Sequence, residues 1–365
     1  MTIRTELEFQ ADRVETAFAS QGIRVRISGG QRTHRWVRFD VFPRLSGDTI
    51  LITPALIDTL TSALRMECRV ERRGARVAVV ALRVNVAPLQ FGQLYEQLYQ
   101  YDDVITLPGL PHLAAALLNP PRQARRPPRL TGMIGLAEDG TPLLVRLPSE
   151  DVKNVLISGE AGAGKTNLLR CLVMSLALSE SPAALRMLII APREEWGWSD
   201  SVPHLMTAPV DVHACKVERS VRAVARLVIE REMKPQPDAF VTLLFIVDGL
   251  EDVFEQSGNL APIFSYITTH GPAVGVHVVA TVERKPPCVG LFSAWGFLVR
   301  ILGKTPDAQN ACDLSEVTFS TAAERLASGE FFVYAEGKRT RFDAPLLTVL
   351  NAALRTTELV QRNSR

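Results

Sequence analysis

The chain has 365 residues, 47% of them hydrophobic and 22% charged, which supports two or three ordinary folded cores and excludes a low-complexity or disordered chain. Its formal net charge of +2 marks neither a polyanion nor a polycation, and its five cysteines (Cys68, Cys171, Cys215, Cys288, Cys312) have no CxxC or Cys/His spacing, against a disulfide framework or a zinc site. The opening MTIRTELEFQ is too charged for a signal peptide and no apolar run nears the ~20 residues of a membrane span, so a cytoplasmic protein without a span is expected.

In chain order, Phe9, Val14, Ala17, Phe18 and Ile23 recur near helical spacing, and Gly22 sits where that helix would stop. Short alternating runs follow: IRVRIS, WVRFDVF and CRVERRGARVAVVALRV, the last predicting a hairpin that turns at Arg73-Gly74. A helix from about Pro54 to Met66 lies between the second and third. The order describes a small α+β domain over residues 1–87. Residues 88–118 read as helical and connective, and NPPRQARRPPRL, with four prolines and four arginines, reads as a linker ending at residue 130.

The charge is uneven. Residues 1–130 hold 18 Arg and no Lys against 12 acids, a net of +6, and the remainder carries −4. That asymmetry fits nucleic-acid contact and fits a solvated surface equally. Arg65, Arg69, Arg72, Arg73 and Arg76 around the hairpin divide the same way, between a ring lining and a charged edge strand protected against aggregation.

From Thr131 the pattern changes to alternating strands and helices. VLISG, RMLIIAP, TLLFIVDG, GVHVVATV and GFLVRIL are apolar throughout, as expected of a parallel sheet covered on both faces, and predict an α/β domain over 131–350 with a polar tail over 351–365. VLIS runs into GEAGAGKTN, Gly159 to Asn167, which fits G-x-x-x-x-G-K-[ST] at Gly159, Gly164, Lys165 and Thr166. Glycines there let successive N–H groups of Glu160, Ala161, Gly162, Ala163 and their neighbours turn toward phosphate oxygens, and the helix that follows adds its positive end. Lys165 is expected on the β and γ phosphates and the Thr166 hydroxyl on Mg²⁺.

A P-loop site also needs an acid at the end of a neighbouring strand to hold the metal. Asp248 ends LLFIVD, where it would serve as that acid or cap the next helix. Thr281 ends GVHVVAT, where it would sense the γ-phosphate or cap its strand. No NKxD guanine signature is present, so ATP is the expected nucleotide. His204 and His277 read as packed histidines, since neither has a second ligand at metal spacing. REEWGWSD, Arg193 to Asp200, sets two tryptophans beside acids, as a contact loop or, more simply, as buried rings.

Taken together these segments resemble the FtsK/SpoIIIE family of DNA-pumping motors, within the HerA–FtsK ATPases. MIGLAEDGTPLLVRL resembles the family's approach to the loop strand, LIIAPREEWGWSDSVPHLMTAPV its Pro-His-Leu stretch, GVHVVAT its Gly-Ile-His strand, FLVRIL its Arg-Ile strand (placing Arg300) and ASGEFFVY a late glycine-acidic-aromatic segment. Residues 1–87 resemble the family's α subdomain. The resemblance implies a RecA-like ATPase domain that assembles as a homo-oligomeric, hexameric ring around double-stranded DNA, with ATP between subunits, a backbone tracker that needs no base readout.

The sequence departs from the family where hydrolysis is concerned. Gly249 stands where the family has a water-orienting glutamate, with Glu251 and Asp252 two and three positions on. Val282 replaces a glutamine and Pro272 an arginine that acts across subunits, leaving Arg284 or Arg300 as candidates for a charge in trans. Lys165, Asp248, Glu251, Thr281 and Arg300 are therefore the candidate catalytic set. Three readings remain: a DNA translocase, a hydrolysis-deficient partner or scaffold, and a relative that moves protein in secretion. A glutamate restored at 249 is expected to raise turnover if its loss is limiting.

Overall fold

Leu56, Leu60 and Leu64 recur every fourth residue and put one apolar stripe on a helix that begins where Thr53 accepts a hydrogen bond from the Leu56 N–H (3.2 Å) and Pro54 pre-sets the first turn. This helix belongs to the first of two units in the computed structural model, which describes residues 3–44, 50–73, 76–83, 86–99, 127–212, 216–234, 240–256, 259–286, 288, 290, 292–316, 326–335 and 337–363. The first unit comprises residues 1–88 with 136–141, and the second 89–135 with 142–365. Residues 100–126, which are the rest of the connective stretch and most of the Pro/Arg-rich run, lie outside the described residues.

The first unit follows the order α1 (Ile3–Ser20), β1 (Val25–Arg32), β2 (Trp36–Pro43), α2 (Pro54–Leu64), β3 (Cys68–Arg73) and β4 (Arg76–Leu82). Its strands form one antiparallel sheet in the order β1-β2-β4-β3. Val14 and Phe18 from α1, the α2 leucines, and Phe39, Val41, Val77 and Val79 from the sheet make a closed apolar core. The hairpin pairs Arg73 with Arg76, as its glycine predicts. Arg69 lies over the Trp36 ring (4.7 Å) and pairs with Glu71 (3.0 Å) and Glu138, while Arg72 donates to the Ile50 carbonyl. Those two arginines are spent inside their own unit, on an edge strand.

The second unit begins with α3 (Phe91–Tyr99) and then β5 (Thr131–Ala137), β6 (Pro142–Arg146), β7 (Val155–Ser158), α4 (Lys165–Ser179), β8 (Leu185–Ala191), α5 (Arg193–Trp196), β9 (Val210–Asp211), α6 (Lys216–Glu232), β10 (Thr242–Asp248), α7 (Leu250–Gln256), α8 (Leu260–His270), β11 (Val276–Val282), β12 (Val299–Leu302), α9 (Ala308–Ser315), β13 (Glu330–Ala335), β14 (Lys338–Asp343) and α10 (Val349–Asn363). Ten strands form one sheet in the order β6-β5-β14-β13-β12-β7-β11-β10-β8-β9. The run from β12 to β9 is parallel, and β13 and β14 add to it antiparallel. All five strands expected from apolar runs are present. Those without such a run, β5, β6, β9, β13 and β14, extend the sheet at both sides, and β14 is written KRTRFD with only its end buried.

Every residue of β7, β10 and β11 is buried, the consequence of helices on both faces. β7 lies between β11 and β12, where the direction of strand succession reverses; ligands of open α/β sheets bind at such a point, beyond the strands' carboxyl ends. Residues 351–365, expected as a polar tail, instead belong largely to α10. Ala352, Thr356 and Leu359 form its buried stripe, and Arg355 bridges Glu358 (3.0 Å) and Glu96 of α3 (3.2 Å). Among the described residues no helix is long and apolar enough to cross a membrane.

Asn154, fully buried just before β7, ties three elements together. Its amide donates to the carbonyls of Thr268 (2.8 Å) and Gly296 (3.2 Å) and its oxygen accepts from the Val278 N–H (2.8 Å). Asn154→Ala strands these groups away from water and is expected to cost about 3 kcal/mol. Chemical denaturation measures it, and an unchanged midpoint would contradict the role.

Candidate functional site

Three glycines of the loop between β7 and α4 have positive φ: Gly159 (145°), Gly162 (77°) and Gly164 (100°). A Cβ at Gly164 would come within 3.3 Å of the Gly329 nitrogen, so only glycine turns here without strain. The outer side of the loop is bonded to its surroundings. Glu160 N–H donates to the Lys304 carbonyl (2.9 Å), Gly329 N–H to the Ala163 carbonyl (2.9 Å) and the Ser328 hydroxyl to the Gly162 carbonyl (2.7 Å). Asn167 donates to the Pro345 carbonyl (2.8 Å) and accepts from the Leu347 N–H (2.9 Å). The first-turn N–H groups of α4 have no intrahelical partner and supply the positive end of the helix.

The Lys165 ammonium donates to the carbonyls of Gly159 (2.9 Å) and Glu160 (3.0 Å) and to the Glu283 carboxylate (3.0 Å). Ala161, Gly162, Gly164, Lys165, Thr166 and Asn167 line a cavity of about 1120 Å³, together with Asp248, Glu251, Thr281, Glu283 and Arg284. Gly159, Glu160 and Ala163 shape the loop without lining that cavity, and the Glu160 carboxylate turns to Lys304 (2.8 Å).

Asp248 ends β10 in register with Thr281 at the end of β11. Its Oδ1 accepts from the Thr281 hydroxyl (2.6 Å) and from the Thr166 hydroxyl (3.3 Å), and its Oδ2 accepts from the Trp196 indole N–H (2.9 Å). The Thr281 hydroxyl also accepts from the Gly249 N–H (2.8 Å), so it joins two strand ends rather than capping its own. Arg170, one turn after Thr166 on α4, is nearly buried and pairs with Glu195. Burial lowers its pKa, with the charge of Asp248 acting the other way. Thr166 and Asp248 offer hard oxygen donors side by side, which suits a magnesium ion held by one or two protein oxygens and by phosphates. Among the described residues no cluster of three or more His, Cys, Asp or Glu could hold a metal alone.

Glu251 lies in the first turn of α7, and its Oε1 accepts from the Glu283 N–H (2.9 Å). Burial pushes its carboxyl up to about 7, helped by the charges of Asp252 and Glu283 and opposed by its own N–H and that of Glu283. The backbone at 249 bears on a glutamate placed there. Gly249 has φ of 97°, and a Cβ there would meet Asp252 Oδ2 at 2.8 Å. A side chain at 249 is therefore strained before it reaches any water.

Arg300 stands outside the cavity of its own chain: its guanidinium donates to the carbonyls of Ser315 (2.9 Å) and Phe297 (3.0 Å) beside Glu316 (3.8 Å), and the first of these bonds ties β12 to α9. Arg284 and Lys285 do line it. His204 and His277 are buried, each bonded to a backbone carbonyl, that of Glu180 (3.0 Å) and that of Lys153 (2.7 Å). Sequence reasoning missed Trp196, Arg170 and Glu195. REEWGW was visible as a motif, but nothing in it tells that an indole N–H reaches a strand 52 residues on.

Two outcomes follow from this geometry. Unfolded, the Glu251 carboxyl releases its proton near its ordinary 4.5, and folded only near 7, so the folded state loses stability as pH rises between those values and stays penalised above them. Glu251→Gln is expected to melt above the wild type at about pH 8 and level with it near pH 4; coincident melting curves at the higher pH would contradict the burial. Gly249→Ala and Gly249→Glu are each expected to cost about 1–3 kcal/mol in denaturation, with no rise in turnover for the glutamate. A stable Gly249→Glu protein that turns over faster would show that the turn adapts.

The profile of the FtsK/SpoIIIE family matches residues 112–287. Among curated proteins, the ESX-5 secretion system protein EccC5 of Mycobacterium tuberculosis is 29% identical over 158 residues, covering 36% of this chain and 11% of EccC5. The DNA translocase FtsK of Streptomyces coelicolor is 24% identical over 231 residues, covering 50% of this chain and 24% of its own length. The chain thus spans about a tenth to a quarter of these relatives. Two solved structures share the fold. The conjugation coupling protein TcpA of pCW3, as a monomer with ATPγS, has a TM-score of 0.56 at 13% identity, over 97% of this chain and 99% of TcpA. The cytoplasmic domain of the type VII secretion ATPase EccC of Thermomonospora curvata has a TM-score of 0.55 at 21% identity, over 64% of this chain and 32% of EccC. The large, mostly parallel sheet with its P-loop at the switch point and the profile match agree: residues 112–287 carry an FtsK/SpoIIIE-type P-loop ATPase segment.

Proposed function

We propose that this chain is an ATP-hydrolysing motor that moves double-stranded DNA as a cytoplasmic homo-oligomeric ring, hexameric as the family resemblance implies. The loop N–H groups and Lys165 hold the phosphates of ATP, and Thr166 and Asp248 hold Mg²⁺. Bound there, the metal neutralises charge on the phosphates; the chain's own groups orient the nucleotide and take the proton of the attacking water. One observation carries the hydrolytic part of the reading. Glu251, a carboxyl that titrates near 7, lines the same cavity as Lys165, Thr166 and Asp248, and a base is most effective when its pKa lies near the working pH. It stands in for the glutamate missing at 249. Asp252 lines the cavity too, and Thr281 keeps Asp248 in place.

DNA as the moved polymer is supported by the likeness to FtsK translocases and by a fold likeness that extends over nearly all of TcpA, a conjugation coupling protein. A protein substrate is the second reading, favoured by the higher identity to EccC5, a secretion system protein. A cytoplasmic setting is supported by four free thiols among the described residues, Cys68, Cys171, Cys288 and Cys312.

Steady-state ATP hydrolysis with and without long double-stranded DNA tests the proposal, with Lys165→Ala, expected to abolish ATP binding, as the blank. Stimulation by DNA is expected. Hydrolysis indifferent to DNA would favour the protein substrate, and binding without hydrolysis would favour a partner subunit. Glu251→Gln is expected to keep nucleotide affinity and lose about 10²–10⁴-fold in kcat. Because a base works unprotonated, the wild-type rate is expected to rise with pH through about 7, a limb that Glu251→Gln lacks. A full rate in that variant would move the role to another acid.

A further inference from the structure

The geometry points to Trp196 as a positioning residue for the magnesium-site acid: its buried indole N–H locks the Asp248 carboxylate in the rotamer that presents Oδ1 to Thr166, and so sets the protein's affinity for Mg²⁺ in the nucleotide complex. This rests on the reading of Thr166 and Asp248 as the metal's protein ligands.

Trp196 is fully buried at the end of the four-residue helix α5, and its only polar atom donates to Asp248 Oδ2 at 2.9 Å. An indole N–H donates and never accepts, and it does not titrate. If the carboxylate turned about its last bond, a buried donor would lose its partner, so the bond resists rotation as well as satisfying Oδ2. Oδ1 meanwhile faces the Thr281 and Thr166 hydroxyls (2.6 and 3.3 Å). The two oxygens of one carboxylate thus have different duties, one fixed by an aromatic donor and one shared among hydroxyls.

The turn that carries Trp196 is itself secured. The preceding residue, Glu195, pairs with Arg170 on α4, the helix that carries Thr166, and the Trp198 ring stacks on Trp196 with centroids 5.7 Å apart. Adjacent side chains of one short turn therefore grip the P-loop helix and the acid-bearing strand together. Partners of metal ligands that act this way typically change metal affinity by about 10–100-fold when removed.

The test is a magnesium titration of the whole chain, read by binding of a fluorescent, non-hydrolysable ATP analogue. Trp196→Phe keeps the ring and removes the donor. It is expected to raise the half-saturating Mg²⁺ concentration about ten-fold or more, with analogue affinity in the absence of magnesium and the far-UV spectrum unchanged. An unchanged half-saturation in a folded Trp196→Phe protein overturns the inference. Asp248→Asn separates the two levels. If it too leaves the magnesium dependence untouched, the assignment of Asp248 as a ligand has failed; if it weakens the dependence while Trp196→Phe does not, only the role of Trp196 has.

Where Trp196→Phe does not fold, Trp198→Phe supplies the second measurement. Removing the stacked ring leaves Trp196 as the tryptophan bonded to the acid. Addition of Mg²⁺ with the analogue is then expected to shift its emission, and the same addition to Trp198→Phe/Asp248→Asn is expected to leave it unmoved. An emission that does not respond in the first protein, or responds equally in both, overturns the inference.

Discussion

Asp248 is 5% exposed, and an anion held so far from water persists only if its oxygens are met by donors. Thr166 comes from the helix after the P-loop, Thr281 from the neighbouring strand, and Trp196 from the turn after β8. Each bond constrains a different part of the second unit. The parallel register of β10 and β11 brings Asp248 level with Thr281, and the placement of α4 is tied to both through Thr166. Neutralising or displacing this one carboxylate would therefore release three elements at once.

Two departures from the family pattern, Val282 and Gly249, stand at neighbouring strand ends, and each has a local cause. Val282 is fully buried in the core, so a polar side chain there would face apolar neighbours; the next residue, Glu283, turns out toward Lys165 instead. Gly249 takes a left-handed conformation that swings the chain into α7 and delivers Glu251, two residues later, to the cavity wall. The Glu283 N–H then bonds the Glu251 carboxylate, so the residue that meets the P-loop lysine through its side chain also holds the acid through its backbone. The glycine turn at 249 and the carboxylate at 251 are thus parts of one local arrangement on the cavity wall.

The parallel strands of the sheet and the P-loop were legible because the signals are local. An all-apolar run of four to seven residues marks a strand covered on both faces, and a glycine loop between such a strand and a helix has few other uses. The partners of Arg300 were not legible, because a matched position in a motif carries no information about what a long side chain bonds; here two backbone carbonyls accept from it. The helix at 349–363 was legible in its helical periodicity but was read as a tail because its sequence is mostly polar. Trp196 was unreadable for a third reason. Its partner lies on another strand, and no spacing rule connects an indole to a carboxylate across a sheet.

The strand order has a consequence for how the second unit comes to be folded. β5 (131–137) takes its place beside β14 (338–343), so an early segment is bounded in the finished sheet by one synthesised much later. Closing so long a loop costs entropy before any ladder bond repays it, and contacts of this separation slow folding. On a ribosome, the β5–β6 hairpin and the outer edge of β12 would wait unpaired until β13 and β14, the strands that fill the gap between them, had been made. Quality control during synthesis, more than equilibrium stability, would then set how much of this protein reaches its working form.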